Sequence, residues 1–428
     1  MAIFTSLPPE LIEQILLLLD PLQVACVAQC CQLLRSLVYG SKDQALWREL
    51  YLEQPFDDPR ECVSLQGTPR IEVDWRGELQ RFIRARTIVH DVSLCRPGER
   101  LEILNTLLDM VSYVPPLSSP HDNMNISRNL LWVAAMLHGG AFLDDASAET
   151  PEEKRVSARL HTYFGLTHND ARRATRVRSR AYVYDMRNYQ PDYDYGPFDA
   201  KGCVDWVHVQ ALHHVVSMHI VDLQEDQQFE FAIFPMSLPF TQIVEEVVVI
   251  EGEVVDTDDW AGVGGAWRVS FCFVDHRELL KYNESATSPG GPLDISIFES
   301  PDFGEVFRSL NVNLRVVKTV SDPKYPKRPV IYFAGEMPES TSTMTGHVRM
   351  TPDNQVRWHF VSGDQGSAVW SSQGVHIGGL KSSFGVLGAW TTVFHDSDDP
   401  VGPFWLRRES VSVNLPMNHL SLNTSIPT

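Results

Sequence analysis

Apolar residues follow two different periods along the chain. In the first half they recur every three or four positions, as at Leu101, Leu104 and Leu108, which is the spacing of one helix face. In the later half they alternate with polar or small residues, as over 267–273, which is the spacing of a half-buried strand. The change falls near residue 220. The pattern predicts the α+β class, with a helical part followed by a separate antiparallel β part.

Helix boundaries in the first half carry clear capping signals. Residues 150–153 read Thr-Pro-Glu-Glu, a capping box with proline in the first turn, and Gly165 ends the apolar face that follows. A stretch rich in Pro, Ser and Asn, 114–125, predicts a surface loop. Further predicted helices cover 75–88, 97–112 and 127–138.

The later half predicts many short strands joined by close turns. Residues 351–354, Thr-Pro-Asp-Asn, separate two alternating runs, and proline followed by a residue that tolerates a left-handed conformation predicts a hairpin. Such a pattern predicts an antiparallel β-barrel or sandwich, and closure into a barrel would remove the exposed sheet edges. Further predicted strands are 243–255, 312–319, 329–335, 368–377, 386–395 and 403–408.

Three short amphipathic helices are predicted within residues 4–52. Leu11 and Ile15 share a face of the first helix, which begins at a pair of prolines and ends at an Asp-Pro pair. Two further apolar stripes follow, over 24–38 and 46–51. A unit of about fifty residues is too small to bury all these side chains by itself. Part of its surface must therefore be covered, either by the rest of this chain or by a partner protein.

This segment resembles the F-box in the order and spacing of its residues. The resemblance covers about residues 4–52, and it implies that the helices dock on an Skp1-type adaptor, which links the chain to a cullin scaffold and a RING subunit. It rests on Leu7, Pro8, Glu10, Leu11, Ile15, Leu16, Leu19, Val27, Cys31, Leu34, Leu46 and Trp47. The side chains expected to form the Skp1 contact are Leu7, Pro8, Leu11, Ile15, Leu22, Val27, Cys31 and Trp47.

The later chain resembles a group of F-box proteins from fungi and, more weakly, the barrel-bearing F-box proteins of animals. The resemblance rests on Gly-Val-His-Ile-Gly-Gly at 374–379, Gly-Ala-Trp-Thr-Thr at 388–392 and Asp-Pro-Val-Gly-Pro-Phe-Trp at 399–405. It implies that the β part selects a substrate. The predicted organisation is an F-box at 4–52, a helical linker or shelf at 53–220 and a β-barrel-like substrate-binding domain at 221–428.

Two sets of residues are candidates for substrate binding. Arg176 and Arg178 lie in a run of arginines followed by tyrosines, and such side chains bind acidic or phosphorylated segments through paired contacts. The alternative is a solvated helix face whose arginines pair with carboxylates of this chain. In the β part, the alternative is that the tryptophans and glycines only build the barrel. The candidates there are Trp370, His376, Trp390, His395 and Trp405.

Composition narrows the classes of partner. The chain has 55 acidic and 36 basic residues and a formal net charge of −19, which argues against nucleic acid or an anionic membrane as the main partner. No apolar run approaches the roughly 20 residues of a membrane-spanning helix. The seven cysteines lack paired or metal-ligand spacing, which favours a reducing compartment. We therefore expect a cytoplasmic or nuclear protein.

The sequence contains no recognisable constellation for catalysis, cofactors or metals. There is no nucleophile–base pair and no phosphate-cradling Gly-rich loop. His208 and His219 lie too far apart on one helix, about 16 Å at 1.5 Å per residue, to share a metal. The resemblance to the F-box then implies a non-catalytic substrate receptor of an Skp1-cullin-F-box ubiquitin ligase, and we expect no cofactor or metal. The alternative is a β-barrel module that binds a peptide or small ligand and whose N-terminal helices pack within the chain.

Overall fold

The structure is a computed structural model, and it describes most of the chain. The backbone alone is described at 249–250 and 253–254. The described residues are 6–40, 42–119, 125–138, 141–145, 150–221, 233–245, 249–250, 253–254, 259–300, 302–338, 340–364 and 366–409.

The described part of the first half is helical. Its α-helices are α1 (Pro9–Leu16), α2 (Pro21–Ala28), α3 (Gln32–Tyr39), α4 (Ala45–Leu52), α5 (Trp75–His90), α6 (Arg100–Ser112), α7 (Arg128–Leu137), α8 (Ala141–Asp144), α9 (Pro151–Phe164), α10 (Arg173–Val183) and α11 (Trp206–Ser217). Short 3-10 helices cover Val92–Leu94, His168–Ala171, Met186–Asn188, Pro191–Tyr193 and Leu238–Thr241. The helices predicted at 75–88, 97–112, 127–138 and after residue 150 are all confirmed. The capping box at Thr150 forms as predicted, since its side chain accepts a hydrogen bond from the Glu153 amide.

Short strand pairs accompany the helices. One ladder joins β1 (Val63–Ser64) to β2 (Tyr113–Val114), and another joins β3 (Val249–Ile250) to β4 (Glu253–Val254). The strand predicted at 243–255 can be compared only in part, because 246–248, 251–252 and 255 lie outside the described residues.

Eight of the described strands form one closed antiparallel barrel. They follow one another in chain order, and β12 closes the barrel against β5. One helix, α12 (His276–Asn283), and a 3-10 turn, Ile295–Glu299, lie between β5 and β6. The barrel strands are β5 (Gly265–Val274), β6 (Glu305–Val320), β7 (Val330–Glu336), β8 (Ser342–Met350), β9 (Val356–Asp364), β10 (Trp370–His376), β11 (Val386–Thr392) and β12 (Gly402–Arg408). The structure thus confirms the α+β class and decides for a barrel over a sandwich.

The predicted hairpin joins β8 to β9. Asn354 adopts a left-handed conformation with φ of 58°, and the Gln355 amide donates to the Thr351 hydroxyl at 2.8 Å. The domain boundary at residue 221 stays a prediction, while the first barrel strand begins at Gly265.

Side chains fill the inside of the barrel. Alternate residues of the strands point inward and form one buried cluster, in which the rings of Trp267 and Trp358 lie 5.3 Å apart and those of Phe360 and Phe404 lie 5.1 Å apart. Outward-facing residues of β11 and β12 are buried too, because α11 packs against them. The helices and the barrel therefore share a continuous apolar core.

Candidate functional site

The first three helices bury one apolar face among themselves and the helices that follow. Ile12 and Leu16 of α1, Val24 of α2 and Leu34 of α3 are almost fully covered. Trp47 of α4 is also covered, and its indole N–H donates to the Val38 carbonyl at 2.8 Å. A local core therefore covers only some of the apolar residues in this segment.

An adjoining side of α1, the turn that follows it and the start of α2 expose large apolar side chains to solvent. The exposed fractions are 51 % for Leu11, 37 % for Ile15, 85 % for Leu18 and 48 % for Leu22, which lies at the start of α2. Pro8, at the N-cap of α1, is exposed next to them. A surface helix normally carries polar residues on its outer side, and adjoining exposed apolar residues mark a contact surface. We call Pro8, Leu11, Ile15, Leu18 and Leu22 the apolar face.

The structure separates the predicted contact residues into three groups. Pro8, Leu11, Ile15 and Leu22 lie on the apolar face, while Leu7, Val27 and Cys31 are half-buried. Trp47 points into the core, so its side chain is not available to a partner in this conformation. Leu18 was missed by the sequence interpretation, although four consecutive leucines at 16–19, at the end of α1 and in the turn after it, are more than one buried face can cover.

A family comparison identifies this segment. The family model that matches the chain is described as F-box-like, and the match spans residues 4–53. The chain carries an F-box-like domain. No curated protein and no solved structure matches the chain. F-box domains generally bind Skp1-type adaptors, and the apolar face lies within the matched residues.

Two polar contacts fix the F-box to the next helix, α5. The side chain of Asp20 accepts hydrogen bonds from the Leu22 amide at 2.9 Å and from Arg86 of α5 at 2.9 Å and 3.0 Å. Asp20 thus caps α2 and anchors it to the following helices at once. Gln44 makes a second link, because its side-chain oxygen accepts from the Arg76 amide at 2.9 Å.

Aromatic packing completes the link between the F-box and the helices behind it. The Tyr51 ring lies 5.4 Å from Phe56 and 5.5 Å from Trp75, and the Phe56 ring lies 5.2 Å from Trp132 of α7. Such tilted and edge-on pairs add to the burial of the rings. The F-box is therefore held in a defined position against the helical part.

The five substrate-binding candidates of the barrel do not form one cluster. Trp370 is 40 % exposed at one end of the barrel, where its ring meets that of Trp390 edge-on at 5.3 Å. The Trp390 indole is buried and donates to the Cys272 carbonyl at 3.1 Å. His395 follows β11 in a left-handed conformation, and its ring stacks on Tyr195. Among the five barrel candidates, these three lie toward the same end.

The remaining candidates lie elsewhere. His376 is buried at the other end of β10 and contacts the Gly379 carbonyl and the Ser382 hydroxyl, and burial lowers its pKa to about 4. Trp405 faces the helices, with its indole N–H on the Phe384 carbonyl at 2.7 Å. These two side chains are covered, which gives them a packing role in this conformation.

The two arginine candidates lie on α10. Arg178 is exposed and contacts the Thr175 hydroxyl at 3.2 Å, and Arg176 is half-buried. Only Arg180 of the same helix pairs with a carboxylate among the described residues, that of Glu305. The interpretation of the whole run as an internally paired face therefore applies to Arg180 alone.

Two further observations concern metal sites and membranes. The described residues include no group of three or more His, Cys, Asp or Glu side chains placed to hold a metal ion. None of the described helices is long and apolar enough to cross a membrane.

Proposed function

We propose that the chain is the substrate-recognition subunit of an Skp1-cullin-F-box ubiquitin ligase. The observation that carries the proposal is the apolar face, which lies on an F-box-like domain and has no cover among the described residues. Burying such leucines in a groove of a partner provides the free energy of docking. The adaptor connects the chain to a cullin scaffold and a ubiquitin-loaded enzyme.

In this proposal the chain is not an enzyme. The covalent chemistry belongs to the partner enzymes, and this chain provides proximity and orientation for a bound protein substrate. The rigid connection through Asp20, Arg86 and the aromatic cluster around Phe56 supports that role, because it fixes where the rest of the chain stands relative to the adaptor. The expected location is the cytoplasm or the nucleus, which the seven free cysteines favour. The finer resemblance to fungal F-box proteins stays a prediction.

The alternative function is a β-barrel binding module that never meets Skp1. That function requires the N-terminal helices to be covered within the chain and the barrel to hold a ligand. The exposure of Leu11, Ile15 and Leu18 speaks against the first requirement, and the inward-facing rings of Trp267 and Trp358 speak against the second. Both observations favour the ligase subunit.

The test is co-purification with Skp1, using the native chain and a Leu11→Asp, Ile15→Asp double variant. Each substitution places a charge at an exposed position outside the core, so we expect the variant to fold. Circular dichroism checks this. Two interface anchors at about 2 kcal/mol each predict that binding weakens at least about a hundredfold.

A matched control uses exposed apolar residues outside the F-box. Ile71 is 98 % exposed and Leu94 is 50 % exposed, so an Ile71→Asp, Leu94→Asp variant makes the same change of charge and polarity elsewhere. We expect it to bind Skp1 like the native chain. If the native chain binds no Skp1, or if both double variants bind equally, the ligase proposal is wrong.

A further inference from the structure

The outer face of the barrel gathers cationic, histidine and tyrosine side chains on four neighbouring strands. The register places Lys318 of β6 opposite Tyr332 of β7, Tyr332 opposite His347 of β8, and His347 opposite His359 of β9. Arg349 and Arg357, two residues along β8 and β9, lie opposite each other on the same face. We call these six residues the basic face.

The side chains of the basic face are in contact along the row. The Lys318 ammonium lies 4.8 Å from the centre of the Tyr332 ring, Tyr332 lies 5.8 Å from His347, and the two histidine rings lie 5.1 Å apart. Lys318, Tyr332 and Arg349 are exposed, and both histidines are half-buried. Arg357 is buried, and the other five side chains form a continuous surface that a partner can reach.

The arginine pair is electrostatically unfavourable without an anion. Like charges directly opposite each other on adjacent strands destabilise a sheet. Arg357 is compensated, since it donates to Asp194 at 2.6 Å and to Gln373 at 2.8 Å and packs on the Phe198 ring. Arg349 has no carboxylate partner among the described residues. One half of the pair is thus balanced within the described chain.

The carboxylate that balances Arg357 is held at some conformational cost. Asp194 and Tyr195 are consecutive non-glycine residues in the left-handed region, with φ of 49° and 54°. Residues held in that region cost roughly 1 kcal/mol or more each, and they cluster at binding sites. Tyr195 is kept in place by the His395 ring, which stacks on it at 3.6 Å. This turn forms one border of the basic face.

We propose that the basic face binds a segment of the substrate protein that carries adjacent acidic side chains. The inference rests on the proposed function and names the class of substrate. Charge complementarity selects this occupant: a chain of net charge −19 concentrates an unpaired arginine, a lysine and two histidines on one surface, which suits carboxylates. Arg349 supplies the paired hydrogen bonds, and Lys318 supplies a second positive charge.

The histidines add a dependence on pH. The pKa of His347 and that of His359 are each lowered to about 4, chiefly by burial and in smaller part by the charges of Arg349 and Arg357. The charge of His359 also contributes to the lowering at His347. At His359 the charge of Asp194 acts in the opposite direction, and that of His395 acts with the arginines. Both rings are therefore neutral in the free protein at neutral pH. A bound carboxylate favours the protonated ring, so binding takes up protons and strengthens as the pH falls.

The test measures the affinity of the full chain for a fluorescein-labelled peptide of repeated Gly-Glu-Glu units by fluorescence anisotropy. Its twin carries Gln in place of Glu. We expect the acidic peptide to bind and the twin to bind at least about tenfold more weakly. Arg349→Gln is expected to weaken the acidic peptide about tenfold, because a charge-assisted hydrogen bond is lost. Arg277→Gln, at a 92 % exposed arginine of α12, is the matched control and leaves the affinity unchanged.

The pH arm uses a His347→Asn, His359→Asn variant. The native chain should bind the acidic peptide more tightly at about pH 5 than at about pH 7.5, because protonation linked to binding sets in as the pH approaches the free-state pKa of about 4. The variant should lose that difference. Equal binding of the two peptides, an equal loss in Arg349→Gln and Arg277→Gln, or displacement by inorganic phosphate at the peptide's own concentration would overturn the proposal. Every variant keeps the F-box intact, so Skp1 binding is measured in a separate experiment. If the chain does not bind Skp1, the peptide measurement still tests whether the basic face binds acidic segments.

Discussion

At the scale of single residues, one buried carboxylate joins the helices to the barrel. Glu305 begins β6, and its side chain is 2 % exposed. It receives hydrogen bonds from Arg180 at 3.0 Å, from the Tyr184 hydroxyl at 2.6 Å and from His219 at 2.9 Å. Burial by itself raises the pKa of Glu305, but His219 and Arg180 together hold it below its ordinary value. The carboxylate is therefore charged and fully satisfied.

Glu305→Gln should destabilise the fold. The substitution keeps the shape and removes the charge, so Arg180 and His219 lose their anionic partner at a buried site. Breaking one partner of a buried pair costs about 3 kcal/mol. Urea unfolding measures the change in the free energy of unfolding. Glu336→Gln, at an exposed position of β7, should change it by less than about 0.5 kcal/mol, and equal losses in the two variants would contradict the role of Glu305.

Two buried tryptophans show what cannot be predicted from the sequence alone. Trp47 was expected to contact Skp1 and Trp405 was a candidate for substrate binding, yet both indoles donate to backbone carbonyls inside the protein. From the sequence alone, a tryptophan in the core and a tryptophan on a contact surface look the same. Only the position of its neighbours decides which of the two it serves.

At the scale of elements, α1 shows why a helix alone does not reveal its interface. Ile12 and Leu16 form one stripe, and Leu11 and Ile15 form a second stripe one residue earlier. The pattern predicts a helix that is apolar on two sides. Which stripe faces inward depends on how α2 and α3 pack against α1, and periodicity does not contain that information.

Two glycines that face each other allow the neighbouring strands β10 and β11 to approach closely. Gly374 of β10 pairs with Gly388 of β11, and the Phe404 ring of β12 packs over both. A Cβ on Gly388 would meet the Gln373 carbonyl oxygen and would lie 2.5 Å from the Gly374 Cα, both of them backbone atoms. The close approach explains why glycine stands in this otherwise apolar run.

Gly388→Ala should therefore disturb the barrel. The added methyl group forces the two strands apart, and overpacking of this kind costs about 2 kcal/mol. Gly304→Ala is the control, because its Cβ would meet nothing within 4 Å. Thermal unfolding followed by tryptophan fluorescence should show a lower midpoint for Gly388→Ala alone. Identical midpoints for the two variants would rule out the predicted clash.

At the scale of the whole molecule, buried histidines tie stability to pH. His208 and His213 of α11 are buried, His208 against the rings of Tyr182 and Tyr189 and His213 beside the ring of Phe384, and burial chiefly lowers the pKa of each to about 4. In the unfolded chain a histidine titrates near pH 6.5. As the pH falls through that value, the histidines of the unfolded state bind protons, while the buried histidines of the folded state stay neutral. The free energy of unfolding must then decrease between about pH 6.5 and about pH 4.

The measurement is urea unfolding at several pH values between those limits. Each buried histidine contributes a slope of up to about 1.4 kcal/mol per pH unit. His213→Gln retains a donor for the Met236 carbonyl and removes the titrating ring, so the slope should become smaller. His90→Gln, at an exposed position at the end of α5, should leave the slope as it is. A slope that does not differ between the native chain and His213→Gln would exclude this origin.

The sequence by itself determined the classes of structure. The two periods of apolar residues, the capping box at Thr150, the turn at Asn354 and the spacing from Leu7 to Trp47 are local patterns, and each is set by the geometry of a helix, a turn or a short domain. The α+β class, the helices and the F-box-like segment were predictable for that reason.

Only the tertiary structure decided which side chains are available. The closure of β12 on β5, the exposure of Leu18, the burial of Trp405 and the pairing of Arg349 with Arg357 all join residues through long-range contacts. Register between distant strands and the choice of a helix face are settled by packing across the whole core, and no local period carries them.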